Sequence, residues 1–227
     1  WSGFPQEAIR YCLTEGGATL SDLDGIAINR DPAANFWRRL GYVVRRGPSL
    51  GWFLKKLSNT RKSASLEREF AAAFPDSKLN SRVHKVEHHE AHLASAFCFS
   101  GFDEAVCLSV DGFGDFCSAA WGLGKGDAIG IDGRVHYPHS LGFFYSAITQ
   151  FLGFPHYGDE YKVMGLAPYG EPKMLEPMRQ IVRVNPDGGF ELNLRYFRHH
   201  REWVHYTWEN CAPEVGRLFT PELSELL

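Results

Sequence analysis

The chain has 227 residues, 44% of them hydrophobic and 14% aromatic, which is enough apolar side chain for a substantial core and excludes a disordered segment. With 24 Lys and Arg against 27 Asp and Glu, the formal charge of −3 excludes a global pull toward nucleic acid or an anionic membrane, and neither is expected as a partner. Five cysteines without a CxxC pair, no apolar run of the roughly 20 residues that span a bilayer, and no signal-peptide pattern lead us to expect a cytoplasmic protein.

Along the chain, apolar spacing predicts a helix over residues 5–15, closed by Gly16-Gly17, and then a short strand over 25–29. From 31 to about 80 the sequence turns basic and aromatic, with Arg38, Arg39, Arg45, Arg46, Lys55, Lys56, Arg61 and Lys62 among Phe36, Trp37, Tyr42, Trp52 and Phe53. Such interleaving can grip phosphates or single-stranded nucleic acid, or it can be a helical insertion whose aromatics pack inward while its cations are solvated. The chain-wide charge favours the insertion.

A strand over 82–87, a helix over 88–99 and a strand over 105–110 follow, the last forming a hairpin with a strand over 118–123. Residues 129–135, around Asp132-Gly133, carry a second hairpin signal. Next come a helix over 140–152, a glycine-rich loop over 158–170, a helix over 173–184, a turn over 185–189 and a strand over 190–194. This mixture predicts an α/β domain with antiparallel hairpins. The opening at Trp1, and a closing run from Thr220-Pro221 that reads as a helix just begun, lead us to expect an excerpt of a longer protein.

Three segments can carry chemistry. In His88-His89-Glu90-Ala91-His92 the outer histidines stand about 40° apart around a helix, so both imidazoles reach one ion, while Glu90 is rotated by about 200° from His88 and points away. That order differs from the HExxH of metalloproteases. A histidine pair also serves simply to cap or pack a helix start, and a stable site needs a third or fourth ligand. In Ser109-Val110-Asp111-Gly112-Phe113-Gly114-Asp115, the glycines let backbone amides approach an anion and the two acids can hold a cation, although Asp-Gly is also a common turn. In the run from Gly158 to Gly170, Glu160 and Lys162 can line a nucleotide or acyl site, or Lys162 can be an ordinary solvated lysine beside Glu160.

Together the HHEAHLASAF, VDGFGD and EYKVMGLAPYG stretches, with FPQEAI near the start, resemble the NodU/CmcH O-carbamoyltransferases. The resemblance is weakest over residues 31–80. It implies an actin-like ATPase (ribonuclease-H-like) fold with a mixed sheet, hairpins and flanking helices, of which this chain is an incomplete N-terminal domain. It further implies a downstream adenylate-forming domain that makes carbamoyl adenylate from ATP and carbamoyl phosphate. The carbamoyl group then passes to a hydroxyl of a small molecule or sugar.

Carried over by position, His88 and His92 are expected to hold a divalent metal, Fe2+ in the first place, with Mg2+ the alternative where nucleotide shares the ion. Asp111, Gly112, Gly114 and Asp115 are expected to face nucleotide phosphates. The resemblance assigns the third metal ligand to a later aspartate and the catalytic base to a histidine before Trp1, and it allows a homodimer. Glu160 and Lys162 are weaker expectations for the nucleotide or carbamoyl pocket. The rival readings are an actin-like kinase or ATPase, and a binding module without catalysis.

Overall fold

The computed structural model describes residues 4–46, 66–75, 82–202, 204, 206–209 and 212–227. Helix α1 (Gln6–Glu15) ends where Gly17 turns left-handed, at φ +59°. Strand β1 (Gly25–Ile28) pairs in parallel with β2 (Arg82–Lys85). Between them lie α2 (Phe36–Arg46) and α3 (Leu66–Ala73).

The helical reading of the basic stretch holds for α2, but Phe36 and Trp37 are exposed and do not pack inward. Tyr42 alone of its aromatics is seated, edge-on against Phe116 and Tyr137. The side chains of Arg46, Trp52, Phe53, Lys55, Lys56, Arg61 and Lys62 fall outside the described residues.

Helix α4 (His88–Phe97) leads into an antiparallel meander of β3 (Glu104–Gly114), β4 (Cys117–Lys125) and β5 (Ala128–His136), in the order β3-β4-β5. On α4, His89, Leu93 and Phe97 recur every fourth residue and form the buried face, with Leu93 and Phe97 packed against Cys107 and Ala120. The Asp132-Gly133 dipeptide is not a hairpin turn. It lies inside β5 opposite Trp121, and a Cβ on Gly133 would come within 2.1 Å of that indole, so this glycine is required by close packing.

After β5, Ser140 caps α5 (Leu141–Phe151), accepting from the Phe143 N–H. The expected glycine-rich loop contains a helix, α6 (Glu160–Leu166). The expected long helix from 173 is shorter: α7 (Leu175–Ile181) runs directly into β6 (Val182–Val184), whose β-branched residues pair with β7 (Phe190–Leu192). A hairpin of β8 (Tyr206–Glu209) and β9 (Ala212–Val215), not foreseen, precedes α8 (Pro221–Leu226). Thr220 stands at the N-cap position, yet its hydroxyl donates to the Arg195 carbonyl.

A second core gathers Ala147 of α5, Ile181 of α7, Leu192 of β7, and Tyr196, Phe197, Leu218, Phe219 and Leu223. No helix among the described residues is long and apolar enough to cross a membrane.

Candidate metal centre

Strand alternation sends Cys107, Ser109 and Asp111 of β3 to one face, the face covered by α4. Successive histidines of α4 meet successive members of that row. His89 Nδ1 lies 2.8 Å from Ser109 Oγ, and His88 Nε2 lies 2.7 Å from Asp111 Oδ2. After Val110 the β3–β4 register breaks and resumes only at Gly114, so Asp111 sits at a bulge, the kind of irregularity that re-aims a side chain.

One turn along α4, His92 Nε2 is 3.1 Å from His88 Nε2 and 3.6 Å from Asp111 Oδ2. Two nitrogens about 2.1 Å from one tetrahedral ion stand about 3.4 Å apart, and about 3.0 Å at a right-angled geometry. The donor atoms of His88, His92 and Asp111 all lie within 4.8 Å of one another, so this set fits a divalent ion. Burial works against ionisation of Asp111, but the His88 hydrogen bond and the Gly112 N–H outweigh it and hold the carboxyl below its ordinary range.

The carboxylate of this triad comes from Asp111, a residue that the sequence motif places with the nucleotide phosphates. Glu90 points away from the triad, as the helix geometry requires, and pairs with Arg134 of β5 at 2.8 Å. Arg134 also lies 3.6 Å from Glu87, which caps α4 by accepting from the Glu90 N–H.

Gly114 serves His88 directly. A Cβ there would stand 2.0 Å from His88 Cγ, so only glycine lets the imidazole lie against β3. Asp115 lies outside the triad, and its Oδ2 accepts from the backbone N–H groups of His88 and Asp31.

Beside the triad opens a cavity of about 830 Å³ whose lining includes Asp111, Gly112 and Phe113 from β3, Tyr145 and Ser146 from α5, and Glu160 from α6. Glu160 accepts from Ser146 Oγ and, through its carbonyl, from the Tyr145 hydroxyl at 3.3 Å. Lys162 is not part of this lining. It pairs with the buried Asp159 at 2.6 Å, and that hydrogen bond raises its pKa.

Two contributors escaped the sequence reading. The buried Ser140 hydroxyl donates toward the carbonyls of Gly112 at 2.8 Å and Asp111 at 3.1 Å, pinning the bulge to the start of α5. His199 is buried among Phe113, Phe143, Phe197 and Tyr137, with Nε2 2.8 Å from the Pro138 carbonyl, and burial pushes its pKa down to about 4. A serine ahead of a helical pattern is a legible cap signal, whereas nothing local marks His199.

Residues 1–208 match the family described as carbamoyltransferase N-terminus. The chain is 35% identical over 206 residues to an uncharacterized protein of Synechocystis sp., covering 87% of this chain and 34% of that protein. It is 34% identical over 192 residues to nodulation protein NolNO of Sinorhizobium fredii, covering 84% of this chain and 27% of that one. With nodulation protein NolO of Bradyrhizobium diazoefficiens it shares 41% identity over 112 residues, 48% of this chain and 20% of the other. The chain thus spans about a third or less of the length of these relatives.

Proposed function

Because the chain belongs to the carbamoyltransferase N-terminus family, we propose that the protein of which it is part is an O-carbamoyltransferase, and that this chain supplies its metal centre and part of its nucleotide pocket. The reaction is transfer of a carbamoyl group from carbamoyl phosphate, by way of a carbamoyl adenylate made from ATP, to a hydroxyl of a small molecule or glycan. The reading includes an actin-like ATPase fold, with which the β3-β4-β5 meander and its flanking helices agree.

One observation carries the proposal: Asp111 belongs both to the triad with His88 and His92 and to the lining of the adjoining cavity. A ligand in that cavity lies next to the triad without any rearrangement. Two imidazoles and one carboxylate leave coordination positions open and suit Fe2+, with Mg2+ the alternative where phosphate shares the ion. Once bound, the ion supplies positive charge for phosphate oxygens and for the oxyanion that develops at the carbamoyl carbon.

The chain's own residues perform the positioning. Ser140 fixes the carbonyls of Asp111 and Gly112, which directs the bulge toward the triad. Glu160 presents a carboxylate acceptor to the cavity, suited to a ribose or sugar hydroxyl. In the transfer, the acceptor oxygen bonds to the carbamoyl carbon, the carbon–phosphate oxygen bond breaks, adenylate departs, and the hydroxyl proton passes to a general base.

The test is to incubate the metal-loaded full-length protein with ATP, carbamoyl phosphate and a panel of hydroxylated acceptors, and to follow products by mass spectrometry. The expected result is an acceptor heavier by one carbamoyl group, abolished in the His88→Ala/His92→Ala protein. ATP hydrolysis that neither needs carbamoyl phosphate nor responds to loss of both histidines identifies the kinase or ATPase reading instead.

A further inference from the structure

Asp115 reads in the sequence as a cation or nucleotide residue, and one oxygen of its carboxylate holds two backbone N–H groups. Its Oδ2 accepts from the His88 N–H at 3.1 Å and the Asp31 N–H at 2.7 Å. The His88 N–H is the first of the donors that a helix start leaves without an intrahelical partner. Glu87 answers the N–H of Glu90, so the first residue of α4, itself a member of the triad, is held from 27 residues away. The same carboxylate fastens the 31–35 turn, and Asn35 completes the tie by donating Nδ2 to the Asp115 carbonyl at 3.0 Å while its Oδ1 lies 3.2 Å from His136 Nε2.

The backbone is left-handed at each corner of this arrangement. Asn35, Asp115 and Phe116 have φ of 55°, 47° and 73° without being glycine. An aromatic residue at such a φ is a conformational outlier, held only where its surroundings over-determine it. Here Tyr42 of α2 and Tyr137 enclose the Phe116 ring, and the Arg39 guanidinium lies 5.9 Å from its centre. Tertiary structure maintains a strained corner beside a metal-ligand candidate, and the contacts that maintain it come from residues 31–42 and from Tyr137.

We propose that Asp115 is the positioning residue of the metal centre: it clamps the backbone of His88 and latches the entry of the basic-aromatic segment, through Asp31 and Asn35, onto that ligand. It touches neither the ion nor substrate. The proposal rests on the metal-centre reading above and gives residues 31–42 the role of a brace for His88.

The decisive comparison uses the full-length protein and Co2+ as the probe, whose visible absorption reports ligand geometry. Asp115→Gly suits the left-handed backbone but removes the carboxylate; with its fold intact by near-ultraviolet circular dichroism, it is expected to bind Co2+ more weakly by on the order of 10-fold or more, with shifted absorption bands. Asp115→Asn, whose amide oxygen still accepts, is expected to recover most of that loss. Wild-type affinity and spectrum in Asp115→Gly overturn the proposal, as does an Asp115→Asn protein as weak as Asp115→Gly.

Should Asp115→Gly not fold, Asn35→Gly removes only the outer tie and is expected to lower Co2+ affinity by a smaller factor; unchanged affinity there sinks the latch. If the wild-type protein takes up no Co2+, it is the metal reading that fails. Exchange of the His88 amide hydrogen then decides the clamp on its own, quickened in Asp115→Gly if the clamp is real and unchanged if it is not.

Discussion

Gly114→Ala is the smallest change that should dismantle the proposed metal centre. Gly114 is not among the positive-φ residues, so alanine suits its backbone and the effect is purely steric. The added methyl would lie 2.0 Å from His88 Cγ, 2.1 Å from Cδ2 and 2.6 Å from Cβ. Carbon atoms rest about 3.5–4.0 Å apart, so the imidazole must retreat by about 1.5 Å, or β3 must shift by as much. His88 Nε2 now stands 3.1 Å from its His92 counterpart and 2.7 Å from Asp111. Metal–ligand distances tolerate about 0.2 Å, so a movement of that size removes His88 from the ligand set.

The expected loss of Co2+ or Fe2+ affinity is therefore at least on the order of 10–100-fold, the range typical of a mere outer-shell change. Overpacking should also cost about 1–3 kcal/mol of stability in the metal-free protein. Isothermal titration and denaturant melts measure the two effects. In a His88→Gly background, which removes both the ring and the Cβ that lies 2.6 Å from the added methyl, Gly114→Ala should cost little stability. Wild-type metal affinity in Gly114→Ala would show that His88 is not a ligand in the conformation described here.

His199 makes stability depend on acid. Its folded pKa of about 4 lies below the ordinary 6.5, so the unfolded chain binds more protons between those values; stability is fully present above about pH 6.5 and is lost as pH falls toward 4, by about 3 kcal/mol in all. Urea melts from pH 7 to 4.5 should show this slope, and His199→Gln, which can still donate to the Pro138 carbonyl, should flatten it; His89 and His136, also lowered by burial, leave a remainder. An unchanged slope in His199→Gln refutes the assignment. For Glu160→Gln, nucleotide titration of the full-length protein should show weakened binding while Co2+ affinity stays as in wild type, since Glu160 lines the cavity and is not in the triad. Equal nucleotide affinity would remove Glu160 from the pocket.

Much of the site was legible because its determinants are local. The four-residue spacing of His88 and His92 follows from helix pitch, and the rotation of Glu90 away from them follows from the same arithmetic. Helices α1 and α5 are legible from apolar spacing, and α1 also from its Gly16-Gly17 stop. What escaped depends on pairing at a distance. Asp132-Gly133 has the composition of a turn, but the strand opposite carries Trp121, and a glycine is needed under its ring. Gly114 reads as a phosphate-loop glycine, and the room it leaves for His88 becomes visible only when α4 is laid against β3. The partner of Asp115 at Asp31 is 84 residues away, beyond any window of periodicity.

The position of Asp111 explains how a motif that reads as a nucleotide turn can also contribute to the proposed metal centre. A regular β3 would continue its alternation past Val110 with its β4-facing backbone groups paired. The register break instead frees the segment from Asp111 to Phe113 between two anchored ends, Val110 opposite Ala119 and Gly114 opposite Cys117. Within that short arc the Asp111 side chain turns to His88, the Gly112 N–H returns to Asp111 Oδ1 at 2.6 Å, and the carbonyls of both residues face Ser140 at the start of α5. The arc is therefore gripped by α4 on one side and α5 on the other, and the cavity opens along it. The proposed metal site and the cavity lining share one aspartate because one bulge faces two helices, and a change at either helix start, at His88 or at Ser140, should be felt in both.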